Sequence, residues 1–345
     1  MNIAIPILTF SKAGGHRVLA KLASIWCKNG HNVEIILCYE SESYFPLDGK
    51  IKITHLRGKS VFDNLGKIIE YIHNNYYKYD VIIANQNRTS FYLFLGCIRH
   101  MNFSKCYYYI QAYEPEFYSF GFTKGLDNFF KVYAAISYYL PLKRVVNSNV
   151  YLNYKNLQAK RVVYPGIDLE LYYPKQLTFF SKRIKIGTIG RNESWKGTAD
   201  VCRAMEILKS EGIEFDFYIA FVDFDTIPHY FVKPDGDSKL SNFYRDMDIV
   251  VAACKGQYGA IHYPVIETMA VGTSIVCTDY YPSSEENAYK VDGSSPRQIA
   301  EAIKHIIYNK EEAINKRVQA LRDVQQFGWP VIAQKFLDYL KEDEI

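Results

Sequence analysis

Arg191 and Lys196, in Gly190-Arg-Asn-Glu-Ser-Trp-Lys-Gly197, are the residues best spaced to do chemistry. Two cations five residues apart, in a glycine-bounded turn between an apolar strand and a helix, make an anion site from side chains, backbone amides and the helix dipole. A diphosphate suits such a site, because the guanidinium forks across two oxygens while the ammonium acts as a point charge. A solvated loop is the alternative that this stretch alone leaves open. In Tyr263-Pro-Val-Ile-Glu267-Thr-Met-Ala-Val-Gly272, Glu267 is the one carboxylate of an otherwise apolar helix. Burying it is costly without a hydrogen-bond partner. Ribose hydroxyls would supply one; a cap on its own helix is the other reading. In Tyr109-Ile-Gln-Ala-Tyr-Glu-Pro-Glu-Phe-Tyr118, Gln111 and Glu114 either line a ligand cleft or belong to a solvated loop stiffened by Pro115. His262, beside Tyr263, reads as a surface or packing residue ahead of a catalytic one.

The elements that must position these residues follow from the hydrophobic pattern. Ile3–Leu8 reads as a buried strand, followed by Lys12-Ala-Gly-Gly15 and a helix over 16–29 that Gly30 ends. Val33–Cys38 completes a βαβ unit, and the pattern repeats with a helix near 64–75 and strands at 81–84, 106–111 and 132–136. A second series opens with a strand at 184–189, runs through the Arg191–Lys196 turn into a helix over 198–210, and continues with strands at 215–221, 249–253 and 274–278. A helix over 264–271, capped by Gly272, precedes the last of these, and helical patterns at 295–308, 311–324 and 331–341 close the chain. This alternation predicts two doubly wound parallel α/β sheets, with ligands beyond the carboxyl ends of the strands. The expected divisions are a first domain over 1–168, a second over 169–328, and a final helix over 329–345 that crosses back to the first. Their joint, 163–174, is rich in turn formers.

With 345 residues, 48% hydrophobic and 23% charged, the chain has globular composition and core enough for two domains. Its longest apolar run, 91–98, is far short of the roughly 20 residues of a membrane span. MNIAIPILTF has no basic leader region or cleavage site, and the seven scattered cysteines contain no C-x-x-C. Reduced core thiols in a cytoplasmic protein are therefore expected. Residues 1–168 hold 20 lysines and arginines against 11 acidic residues, whereas the remainder is net acidic. A basic first half suits an anionic partner such as a lipid surface or a phosphorylated acceptor, or is an unevenly charged solvated face. No run of five like charges occurs, so nucleic acid is not expected. Asp223-Phe-Asp225 and Asp246-Met-Asp248 have a metal-gripping spacing but adjoin buried strands, and no metal is expected there.

Gly190-Arg191-x4-Lys196-Gly197 and Gly259-Ala-Ile-His-Tyr-Pro-Val-Ile-Glu267-Thr-Met-Ala-Val-Gly272 together resemble glycosyltransferase family 4, of GT-B architecture. In that architecture two Rossmann-like domains face each other across a cleft. The resemblance extends to Gly14-Gly15 as first-loop glycines, 165–168 as the interdomain segment and Trp329 as the start of the crossing helix. It implies that Arg191 and Lys196 bind the donor diphosphate and stabilise the departing nucleotide, and that Glu267 holds the ribose. It implies donor contacts from Gly14, Gly15, Gly190, His262 and Tyr263, and sugar or acceptor contacts from Gln111, Tyr113 and Glu114. Transfer would retain anomeric configuration and need no metal or other cofactor.

Two departures bear on the donor sugar. The first Glu of the family's E-x7-E falls on Gly259, and the first-domain His-Asp pair is missing. Bacterial rhamnan and O-antigen rhamnosyltransferases have a similar Q-D-Y-E-P-x-F-Y segment and also lack that Glu, although Ala112 stands here for their Asp. The resemblance favours deoxythymidine-diphosphate rhamnose as donor and a cell-surface polysaccharide or lipid-linked glycan as acceptor, on the inner face of the plasma membrane. The alternatives are a non-catalytic GT-B module that binds nucleotide or glycan beside a partner transferase, and a nucleotide-sugar epimerase. Transfer is expected to proceed unchanged in EDTA; activity lost in EDTA and restored by manganese would contradict this.

Overall fold

The structure, a computed structural model, describes residues 1–118, 126–178, 180, 183–224, 227–255 and 261–342. Gly259 and Asp225 lie outside them. The chain forms two compact units: Met1–Gly166 with Trp329–Ile345, and Ile167–Gly328.

The first unit contains β1 (Asn2–Ile7), α1 (Gly14–Lys28), β2 (Asn32–Leu37), β3 (Lys52–His55), α2 (Val61–Asn75), β4 (Val81–Ala84) and α3 (Asn87–Cys97). These are followed by β5 (Cys106–Ile110), α4 (Glu114–Phe117), α5 (Asp127–Ser137), β6 (Lys143–Val146) and β7 (Arg161–Val162). All pairings are parallel, in the order β3-β2-β1-β4-β5-β6-β7. The order reverses between β1 and β4, the doubly wound signature. Ile82, Ala84, Tyr108, Ile110 and Val146 pack toward α2 and α3 in one buried cluster. The tyrosine run Tyr107–Tyr109 is fully buried in β5, its hydroxyls donating to Leu340 O, Glu114 Oε1 and Val163 O.

The second unit contains β8 (Ile184–Ile189), α6 (Thr198–Ser210), β9 (Phe215–Ala220), β10 (Tyr230–Val232), α7 (Asp237–Asp246) and β11 (Ile249–Ala252). After these come α8 (Tyr263–Ala270), β12 (Ser274–Cys277), β13 (Tyr289–Lys290), α9 (Pro296–Tyr308) and α10 (Lys310–Asp323). Its sheet is also parallel, ordered β10-β9-β8-β11-β12-β13, with the reversal between β8 and β11. All seven cysteines are free and buried.

One expected strand is corrected. Residues 132–136 lie in α5, not in a strand. An apolar run of five is too short for its period to separate the two. In the structure exposure follows helical spacing, with Phe129, Val132 and Ile136 outward and Ala134 and Ser137 buried. The strand beside β5 is β6, whose first two residues, Lys143 and Arg144, mask its strand character. Both side chains are half-buried, Lys143 lying 5.2 Å from the Tyr107 ring centroid and Arg144 donating to Leu140 O at 2.9 Å.

The last helix, α11 (Trp329–Glu342), packs in the first unit. Trp26 of α1 donates its indole N–H to Ala333 O at 3.0 Å and meets Phe336 edge-on at 5.5 Å. Both rings are fully buried, so Phe336→Ala is expected to cost about 3–5 kcal/mol in chemical denaturation of the first unit; a loss below about 1 kcal/mol would show that α11 is not integral to that core.

Candidate active site

In the second unit the Arg191–Lys196 turn leaves β8 at the point where the strand order reverses. Several close contacts hold it against the end of β11. Gly197 has φ +77°, and a Cβ there would stand 2.1 Å from Ala253 O; Gly190 is similarly excluded by Val222 O at 2.7 Å. Thr198 Oγ1 accepts from Arg191 N at 3.0 Å and donates back to Arg191 O at 3.1 Å. Trp195 O accepts from Lys255 N at 2.9 Å and from Cys254 Sγ at 3.2 Å, while Lys255 Nζ pairs with the buried Asp200 at 2.8 Å.

This turn and the start of α8 line one pocket, containing Arg191, Lys196, Ala253, Ile261, His262 and Tyr263. The Arg191 guanidinium is exposed and lies 5.5 Å from the ring of Phe221, a residue held at φ +75°. Lys196 lies 4.2 Å over the Trp195 ring, and burial, with Arg191 adding to it, lowers the pKa of its ammonium. His262 is buried and packs edge-on to Tyr280; burial, then Lys196 and Arg191, push its pKa down to about 3, so it stays neutral. Its Nδ1 has no partner among the described residues.

Glu267 lies in the middle of α8, 5% exposed, and accepts from the buried Tyr244 hydroxyl at 2.9 Å. It does not cap its own helix, whose N-cap is His262. Tyr244 was invisible in the sequence as its partner because the contact spans 23 residues and two helices. Asp248, of the second D-x-D pair, accepts from Lys185 N at 2.9 Å, and the described residues hold no cluster of metal-binding side chains.

In the first unit, Gly14 and Gly15 open α1, which has no side-chain cap. Gln111, just past β5, donates from Nε2 to Gly15 O at 3.2 Å. The Tyr113 hydroxyl accepts from Asn156 Nδ2 at 2.6 Å. Glu114 is not part of a solvated loop. It opens α4, and its Oε1 accepts from Asn87 N at 2.9 Å and Tyr108 OH at 2.8 Å. Gly14, Gly15, Gln111, Tyr113 and Glu114 thus gather at the carboxyl edge of the first sheet; Arg191, Lys196, His262, Tyr263 and Glu267 gather at that of the second. Sequence reasoning missed Asn85 and Asn147, buried at the same edge as Gln111.

With this geometry established, the chain can be compared with known proteins. Residues 183–309 match the family described as Glycosyl transferases group 1. Among solved structures, a glycosyltransferase from Rickettsia africae aligns with a TM-score of 0.71 at 16% identity, covering 99% of this chain and 98% of that one. HepE from Anabaena, solved with UDP, aligns at 0.74 and 12%, covering 99% and 100%. The lipopolysaccharide outer core galactosyltransferase WaaB aligns at 0.66 and 12%, covering all of both chains. No curated protein sequence matches. The fold is the GT-B fold of glycosyltransferases. The family match lies within the second unit, over residues 183–309.

Burial pushes the Glu114 carboxyl up to about 7, against the hydrogen bonds from Tyr108 and Asn87 that pull it down. Because this lies above the unfolded value near 4.5, the folded state holds the proton more tightly. The stabilisation from this proton is complete below pH 4.5 and is lost as the pH rises through 7. Glu114→Gln keeps both accepted hydrogen bonds without the charge, so its Tm relative to wild type should rise between pH 5 and 8. A constant difference would place the carboxyl in water.

Proposed function

We propose that this protein is a retaining glycosyltransferase of family 4. The second unit takes up a nucleoside-diphosphate sugar, and the first receives a cell-surface polysaccharide or lipid-linked glycan. The observation that carries the reading is the convergence of Arg191 and Lys196 with the start of α8 in one pocket at the strand-order reversal of the second sheet. Negative charge grows on the diphosphate as the glycosidic bond breaks, and fixed cations stabilise it more than the ground state. Glu267, oriented by Tyr244, is the acceptor for ribose hydroxyls. The departing diphosphate takes the acceptor's proton on the face it leaves, so the sugar keeps its anomeric configuration.

The Gln111–Tyr118 segment favours deoxythymidine-diphosphate rhamnose as the donor, as in rhamnan and O-antigen rhamnosyltransferases; the UDP-bound Anabaena neighbour favours a uridine donor instead. Association with an anionic membrane surface is supported by α5. Phe129, Val132 and Ile136 are 50–65% exposed along one side of it, with exposed Leu126 just before it and Tyr139 just after, and the first half of the chain carries the surplus of cations.

Incubation with dTDP-rhamnose and UDP-hexoses, each with glycosyl lipid acceptors, should give one product whose anomeric configuration by NMR matches that of the donor; an inverted product would contradict the mechanism. Sedimentation with phosphatidylglycerol vesicles should capture the wild type and lose Phe129→Ser/Val132→Ser. Equal capture of both would remove α5 from the membrane contact.

A further inference from the structure

Phe221 has a backbone conformation that its side chain disfavours. Its φ of +75° lies in the left-handed region, where a bulky residue is strained and glycine is not. The strands on either side hold it there. Ala220 O accepts from Gly190 N at 2.8 Å and Phe221 N donates to Val232 O at 2.9 Å, so the peptide between Ala220 and Phe221 is fixed on both sides. The chain then turns over Gly190, bringing Val222 O to 2.7 Å from where a Cβ there would stand. Continued in extended form, β9 would point Phe221 to the side of Phe217 and Ile219, which belong to the buried cluster of the second unit. The left-handed turn instead leaves the ring half-buried, with the Arg191 guanidinium over its face at 5.5 Å from the centroid.

That contact suits a cation that must meet an anion. The guanidinium is exposed and has no carboxylate partner among the described residues. A carboxylate would hold it too, but would occupy its N–H donors and cancel its charge. An aromatic face attracts the cation through its quadrupole and leaves the donor fork free. Arg191 is also fixed at its backbone, where Thr198 Oγ1 accepts from its N–H and donates to its carbonyl. The long side chain is thus held at both ends. Lys196, which lines the same pocket, follows the same pattern at 4.2 Å over the Trp195 ring.

We propose that Phe221 is a positioning residue, whose strained backbone places a ring that holds the Arg191 guanidinium toward an incoming anion. Identifying this anion as the donor diphosphate rests on the functional reading above; the hold on Arg191 does not. Glycine would relax the backbone and lose the ring.

Calorimetric titration of the full chain with dTDP, UDP, GDP and CMP tests this. Phe221→Gly should keep its Tm within about 4 °C of wild type. It should nevertheless weaken the nucleotide that wild type binds by about three- to fivefold, the size of an exposed cation–π contact. Phe221→Leu keeps an apolar side chain without a π face and should weaken binding equally, whereas Phe221→Tyr should restore the wild-type value. In an Arg191→Ala background, Phe221→Gly should change nothing, because the ring acts through Arg191. Wild-type affinity in Phe221→Gly and Phe221→Leu, or an equal loss with Arg191 already removed, would overturn the proposal. NMR of the Arg191 Nε–Hε pair in nucleotide-free protein separates the two readings. The ring should shift this proton upfield in wild type, and the shift should vanish in Phe221→Gly. The shift without binding of any nucleotide upholds the hold on Arg191 and fails the donor site; nucleotide binding without the shift fails the inference alone.

Discussion

The site in the second unit depends on a backbone approach that only glycine permits. Gly197 sits at φ +77° with its α-carbon so close to Ala253 O that a Cβ would be 2.1 Å from it. This contact presses the turn after β8 against the end of β11, where the strand order reverses. The Trp195 carbonyl, taking hydrogen bonds from Lys255 N and Cys254 Sγ, and the Lys255–Asp200 pair hold the same turn against the residues that follow Ala253. Arg191 and Lys196 are thus carried on a braced loop, which lowers the cost of aligning two long cationic side chains on one anion.

The same logic of strand ends organises the first unit with different chemistry. Its reversal lies between β1 and β4, and the residues past β4, β5 and β6 are amides rather than cations. Glu114, held by Tyr108 and Asn87 in a buried setting, adds a carboxyl that stays protonated far above its ordinary range. The second sheet thus ends in a cationic edge and the first in an edge of amides and one carboxyl.

Much of this was legible in the sequence because the informative signals were local. Strands β4 and β8 and helix α6 fall where the apolar runs and glycines place them, and Gly30 and Gly272 take the positive φ expected of residues that end helices. The Arg191–Lys196 turn could be located for the same reason. What escaped depended on contacts distant in the chain. Tyr244 meets Glu267 only once α7 and α8 pack. Asn85 and Asn147 look like ordinary turn formers until three strands bring them to one edge. Val132–Ile136 has strand composition, yet forms a helix with its apolar side outward, and β6 hides behind a Lys-Arg pair at its start.

The central claim is that Arg191 and Lys196 form a nucleoside-diphosphate site, and calorimetric titration with dTDP, UDP, GDP and CMP tests it most directly. One diphosphate should bind selectively to the wild type, and Arg191→Ala and Lys196→Ala should each weaken it at least tenfold. Unchanged binding in both variants, or no binding of any nucleotide to the wild type, would contradict the account.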